Sequence, residues 1–125
     1  MKLFLTAGAV SGALAVLLGA FGAHLLKNMI STDMLEVYKT GVQYQFYHTF
    51  ALLFTAILMN FKPTKTLKWS GYLFIAGITI FSGFLYLLAI TGIKVLGMIV
   101  PIGGLMLIAG WICLFINVLK IKSLS

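Results

Sequence analysis

The polar side chains that could do chemistry begin in the stretch Thr40–His48 (TGVQYQFYH), where two glutamines, two tyrosines and a histidine open an apolar segment. From there, positions at spacings of 4, 3, 4, 3 and 4 form a heptad seam: Gly41, Gln45, His48, Leu52, Thr55 and Met59. A heptad seam faces other helices, so Gln45 and His48 are predicted to lie between helices. With the polar or irregular positions of the other apolar segments they make up a candidate polar layer of His24, Gln45, His48, Ser82, Tyr86 and Pro101.

The residue types in this layer disfavour most catalytic chemistry. Two histidines without a nearby cysteine or carboxylate make a poor zinc site. A haem held by His24 and His48 would bridge predicted depths that differ by about 6 Å. Ser82 has no acid to orient a histidine base. The sequence therefore predicts no catalytic residue, no cofactor and no metal site, and it favours a protein that is not an enzyme.

The composition indicates what positions these side chains. Hydrophobic residues make up 62% of the 125 residues and charged residues 9%, against about 25% charged in a soluble domain. Four long uncharged stretches reach the roughly 20 residues that a membrane-spanning helix needs. Since lipid offers no hydrogen-bond partner to the backbone, each should be helical. We predict one all-α domain over 1–125, an integral membrane four-helix bundle with helices at about 3–26, 42–61, 69–93 and 95–119.

The second helix is predicted to start before it enters the membrane. Asp33 and Glu36 have the spacing of an N-terminal capping box, which favours an extramembrane lead-in from about residue 33. These are also the only two acidic side chains, so no buried acid is available for proton-coupled transport.

The lysines predict the topology. Lys27, Lys39 and Lys94 fall on one side of the membrane, and the other side collects Lys2, Lys62, Lys65, Lys68, Lys120 and Lys122. The lysine-rich side is normally cytoplasmic, so both termini are predicted to be cytoplasmic in a multi-pass protein of the plasma (cell) membrane. The predicted partner of this charge is the lipid bilayer. Nucleic-acid binding is not expected, because no aromatic platform accompanies the lysines.

The first apolar stretch carries a face of small residues, Gly8, Ser11, Gly12, Ala15, Gly19, Gly22 and Ala23. Small residues let helix backbones approach closely in lipid. This face is predicted to pack either against a neighbouring helix of the chain or against a second copy, which would make a homo-oligomer through helix 1.

The polar layer is predicted to lie in the outer half of the bundle, from the rise of about 1.5 Å per residue. Pro101, followed by two glycines, should kink the fourth helix and leave the Gly97 carbonyl without its donor. The hydroxyls of Ser82 and Tyr86 could replace that donor. Two interpretations stay open for the layer: hydrogen bonds that hold helices together, or a site for an ion or ligand.

Several motifs resemble a known family. The motifs are GAFGAH at 19–24, QYQFYH at 43–48, Phe81-Ser82-Gly83, PIGG at 101–104 and Gly110-Trp111. They resemble the domain-of-unknown-function 423 family, whose bacterial members carry the label UPF0382 membrane protein and which is grouped with transmembrane protein 256 of animals. The resemblance implies a small multi-pass membrane protein and brings no reaction, cofactor or substrate. Phe84 and Val100 depart from the small serine and the threonine expected there, which makes the local layer drier.

Two functions are therefore carried forward. The first is a structural or interaction protein, a scaffold or subunit that works through helix contacts. The alternative is a small transporter or channel component with a polar site in the outer half of the bundle. No small-molecule ligand is identified by the sequence.

Overall fold

A computed structural model describes residues 1–121 as a series of four α-helices. They are α1 (Lys2–His24), α2 (Thr32–Phe61), α3 (Lys65–Thr91) and α4 (Val100–Lys120). Short 3-10 helices at Leu26–Asn28 and Lys94–Met98 precede α2 and α4, and this part of the chain contains no strand. The predicted all-α four-helix fold is confirmed. Lys122, which counted toward the predicted topology, lies outside the described residues.

Three helical stretches, Lys2–Asn28, Lys65–Thr91 and Lys94–Lys120, are long and apolar enough to cross a membrane. The helix α2 is long enough, but its polar residues make it less apolar than these three. However, α2 lies antiparallel along α1, with Leu53 against Gly8 near one end and Tyr38 against Gly22 near the other. It therefore occupies the same layer as its more apolar neighbours.

Side-chain caps and one turn explain the helix ends. Ser31, and not Asp33 as predicted, caps α2 by accepting a hydrogen bond from the Met34 N–H at 3.2 Å, so the helix begins at Thr32. Thr64 caps α3 in the same way, with the Leu67 N–H at 3.1 Å, so α3 begins at Lys65 and not at 69. Gly92 ends α3 with φ of 70°, a left-handed conformation that glycine adopts without strain.

The kink predicted at Pro101 is wrong. The helix begins only at Val100, so Pro101 lies in the first turn of α4, where a missing N–H breaks no helical hydrogen bond. The segment before it is the 3-10 helix Lys94–Met98 and not the start of α4 at 95. Pro101 is exposed there.

The helices α2 and α3 form a central antiparallel pair. The helix α1 packs mainly on α2 and α4 mainly on α3. At its N-terminal end α1 also reaches α3, where the Phe4 ring lies against Gly71 and makes an edge contact with Tyr72 at 5.4 Å between centroids. The largest core cluster joins all four helices and includes Phe4, Leu52, Phe74 and Leu107. All six positions of the predicted heptad seam are buried.

Candidate functional site

A polar network ties α1, α2 and α3 together through the side chain of Gln45. The Tyr86 hydroxyl donates to its Oε1 at 2.6 Å. Its Nε2 donates to the Ser11 backbone carbonyl at 2.8 Å. Gln45 is only 4% exposed, so both ends of this amide are satisfied inside the protein. One residue of the predicted seam therefore bridges both neighbouring helices.

Two further hydrogen bonds complete what we call the three-helix network. Ser82 donates its hydroxyl to the Gly41 carbonyl at 2.7 Å, and the Ser11 and Thr49 hydroxyls lie 2.7 Å apart. Gly41 is also needed for the fit, because a Cβ there would stand 2.7 Å from Tyr86 Cε1. The network consists of Ser11, Gly41, Gln45, Thr49, Ser82 and Tyr86.

Gln45 and Thr49 fall within about 4 Å of the midpoint of α2, whereas Ser82 and Tyr86 lie about 6 and 12 Å from that of α3, toward its C-terminal end. That end of α3 and the N-terminal end of α2 are the predicted outer ends of the bundle. The outer-half position of the layer stays a prediction.

His48 does not join the network. Its Nδ1–H donates to the Tyr44 carbonyl at 2.7 Å on its own helix. Its ring lies 5.9 Å, between centroids, from both Phe74 and Trp111. His48 therefore belongs to an aromatic cluster between α2, α3 and α4 that Gln45 does not join.

The remaining two predicted members of the polar layer are at helix ends. His24 is exposed in the last turn of α1, and Pro101 is exposed in the first turn of α4. Gly12 meets Thr49, which follows His48, and His24 lies 12 residues further along α1, so the two histidines stand roughly 18 Å apart along that helix, too far to hold one haem iron. Within residues 1–121, no group of three or more histidine, cysteine, aspartate or glutamate side chains is placed to hold a metal ion. Of the six predicted residues, the structure brings together Gln45, Ser82 and Tyr86.

The small face of α1 is covered by α2 of the same chain. The closest approaches are at Gly8, which meets the Leu53 side chain, and at Gly22, which meets the Tyr38 ring. The Tyr38 hydroxyl also donates to the Leu18 carbonyl. The other residues of the face that are not exposed lie along the same side of α1: Ser11, Gly12, Ala15 and Gly19. Only Ala23 of this face is exposed. A homo-oligomer through helix 1 would therefore have to use another side of that helix.

A groove opens beside the network between α1 and α3, with a volume of about 420 Å³. Its lining residues include Ser11 and Leu14 of α1 and Thr79 and Gly83 of α3. Gln45 of α2 also lines it. A Cβ built on Gly83 would meet nothing within 4 Å. We call this the α1–α3 groove.

Sequence reasoning missed Asn117, which is 3% exposed near the end of α4. Its Oδ1 accepts a hydrogen bond from the Thr64 hydroxyl at 2.6 Å. The signal was an amide in an otherwise apolar stretch. Asn117 lines a second cavity, of about 640 Å³, between the ends of α2 and α4.

Comparison with known proteins agrees with the motifs. Residues 18–104 match the family model described as protein of unknown function (DUF423). A UPF0382 membrane protein of Staphylococcus aureus is 47% identical over 120 residues, covering 96% of this chain and 98% of that protein. The UPF0382 membrane protein YwdK of Bacillus subtilis is 43% identical over 121 residues, covering 96% and 98%. A third, from Staphylococcus saprophyticus, is 43% identical over 121 residues, covering 97% and 100%. No solved structure matches.

Proposed function

Because the chain belongs to the DUF423 family, a family of membrane proteins of unknown function, we propose a function that rests on its helix contacts alone. The protein is a structural or interaction component of the membrane, a scaffold or subunit, and the polar side chains of its three-helix network serve the assembly of its own helices. The proposal assigns no catalytic residue and no cofactor.

The observation that carries this proposal is that the polar side chains of the three-helix network are bonded within the protein. In residues 1–121, every fully buried side-chain nitrogen and oxygen has a hydrogen-bond partner. Gln45 and Tyr86, the strongest candidates for a site, are bonded to each other. Interhelical hydrogen bonds of this kind contribute roughly 0.6 kcal/mol each in membrane proteins. A group that waits for an ion or substrate would instead keep free hydrogen-bonding capacity turned toward an open space.

The surface that we assign to the interaction is the α1–α3 groove, and its proposed occupant is a helix of a second copy. Glycine inside a helix costs about 1 kcal/mol relative to alanine, and at Gly83 no contact within the chain explains that cost. Thr79 and Gly83, four residues apart on α3, form a small-residue pair of the kind that lets helix backbones approach. A homo-oligomer formed at the α1–α3 groove would contact helix 1 on the side that α2 does not cover.

The same proposal includes a location and an orientation. The excess of lysine on the side that holds Lys2, the turn Lys62–Lys68 and Lys120 favours placing that side in the cytoplasm. Both termini would then be cytoplasmic, in a multi-pass protein of the plasma membrane.

The interaction is tested by filling the groove. Gly83→Leu adds a side chain where the chain itself leaves space, so the fold should persist while a docked helix is excluded. Ala13→Leu is the matched control, because Ala13 is exposed on α1 and does not line the groove. Native mass spectrometry in mild detergent should show loss of the oligomer in Gly83→Leu and its retention in Ala13→Leu. The same oligomer in both variants, or monomers in the wild type, would refute this surface.

The transporter or channel component remains the second candidate, favoured by the polar atoms of Ser11, Gln45 and Ser82 that line the groove. The same two variants separate the candidates. Ion flux into liposomes that Gly83→Leu abolishes without changing the oligomer would replace the structural proposal by the transport one.

A further inference from the structure

The second cavity lies where the end of α2, the start of α3 and the end of α4 meet. Its volume is about 640 Å³, and Lys62 and Lys120 are among its lining residues. The two acidic side chains of the sequence, Asp33 and Glu36, lie at the other end of α2, about 40 Å away along that helix. We call this space the basic cavity, because no carboxylate side chain lies near enough to neutralise its lysines.

A buried amide in the basic cavity has unused donors. Asn117 is 3% exposed, and its Oδ1 accepts from the Thr64 hydroxyl at 2.6 Å. Its Nδ2 makes no hydrogen bond within residues 1–121. Asn117 lines the cavity, so this amide is placed to donate to a molecule bound there. An amide without an acceptor in apolar surroundings is costly, so the site favours an occupant that accepts hydrogen bonds.

The start of α3 adds to the positive field. Thr64 is its N-cap and Thr66 lies in its first turn, and both line the basic cavity. A helix N-terminus carries partial positive charge and free N–H groups, which favour anions. The carbonyl ends of α2 and α4 lie at the same end of the protein, and two C-terminal ends of about half a negative charge each outweigh the one N-terminal end of α3. The two lysines therefore set the sign of the field.

An apolar track leads away from the basic cavity along α2. Phe54, Ile57 and Phe61 have one-turn and two-turn spacings, line the same space and are 51%, 51% and 76% exposed. The track is about 10 Å long. Hydrogen-bond donors at the helix ends, next to an exposed apolar track, match a molecule with an anionic head and a hydrocarbon tail.

We propose that the basic cavity binds an anionic phospholipid, with its phosphate held by Lys62, Lys120 and the Asn117 amide and one acyl chain lying along Phe54, Ile57 and Phe61. Basic pockets between transmembrane helices bind such headgroups in general. This site is separate from the α1–α3 groove, so it stands or falls independently of the function proposed above.

The test compares two double variants of the full-length protein in phosphatidylcholine nanodiscs with and without phosphatidylglycerol. Lys62→Gln with Lys120→Gln removes the two cavity lysines. Lys65→Gln with Lys68→Gln removes the same charge from exposed positions that do not line the cavity. Bound lipid is counted by native mass spectrometry after transfer to detergent, and thermal unfolding verifies that each variant is folded.

The wild type should retain phosphatidylglycerol in preference to phosphatidylcholine. At about 1 kcal/mol per lysine, the cavity variant should lose roughly tenfold or more in that preference, and the exposed-lysine variant should lose much less. Equal losses of this preference in both variants would show only a general attraction between lysines and anionic lipid, and would refute a binding site in the basic cavity. Saturation by inorganic phosphate alone, with no preference between the two lipids, would overturn the assignment to a lipid.

Discussion

Replacing Gly103 by alanine should loosen the contact between α3 and α4 at a place where their backbones approach closely. A Cβ at Gly103 would stand 2.8 Å from the Cα and 2.9 Å from the Cβ of Phe81. Both obstacles belong to or adjoin the backbone of α3, so no rotation of a flexible side chain can relieve them. The helices themselves must separate.

The size of the effect follows from these distances. Carbon atoms in ordinary contact stand about 3.5–4.0 Å apart, and the Phe81 backbone nitrogen would be nearer to the new Cβ than either carbon, so the helices must move apart by roughly 0.6–1.2 Å or more. A gap of that size removes about a quarter to a half of the dispersion energy of neighbouring contacts, such as Leu107 on Gly77. Overpacking of this kind costs about 1–3 kcal/mol.

The neighbouring residue supplies a matched control. A Cβ at Gly104 would meet the Phe81 ring at 3.6 Å, an ordinary contact. Both substitutions gain the same helix propensity of up to about 1 kcal/mol, and that gain cancels in their difference. Gly103→Ala should therefore be about 1–3 kcal/mol less stable than Gly104→Ala when unfolding by sodium dodecyl sulfate in mixed micelles is followed by circular dichroism. Equal stability of the two variants would refute the close backbone contact.

Two more predictions use the same unfolding assay. Gln45→Leu removes two interhelical hydrogen bonds and should lower the free energy of unfolding by about 1 kcal/mol, whereas Gln43→Leu, at an exposed position, should not lower it. A stabilised Gln45→Leu would show that the network does not hold the helices. Tyr38→Phe removes the hydroxyl that donates to the Leu18 carbonyl and should cost about 0.5–1.5 kcal/mol, with the exposed Tyr47→Phe as control. Equal effects at the two tyrosines would contradict that contact.

The heptad seam on α2 shows which features of the structure can be predicted from sequence periodicity. Its spacing predicts that Gln45 and His48 are both buried, and both are. It does not predict that Gln45 bridges α1 and α3 while His48 contacts α3 and α4. Residues three apart on a helix differ by about 60° in direction, which is enough to contact different neighbours in a bundle. Which neighbour lies at each angle depends on how all four helices are arranged.

Pro101 shows a second limit. Proline and two glycines inside an apolar stretch predict a kinked helix, yet here α4 starts at Val100 and the proline occupies its first turn. The sequence allows both outcomes, because proline is unfavourable only where the N–H it lacks would have been bonded. Here the 3-10 helix Lys94–Met98 takes up the residues before Val100, so α4 begins too late for Pro101 to interrupt it.

The sequence alone determined the family, the four helices and their apolar character, because these follow from local composition, motif identity and the need to satisfy backbone hydrogen bonds in lipid. Only the tertiary structure decided which polar side chains meet. The grouping of Gln45 with Tyr86 and Ser11, and of Asn117 with Thr64, joins residues at least 34 positions apart in the chain. Such pairings depend on the rotation and register of whole helices against each other, and close contacts such as Gly103 on Phe81 set both.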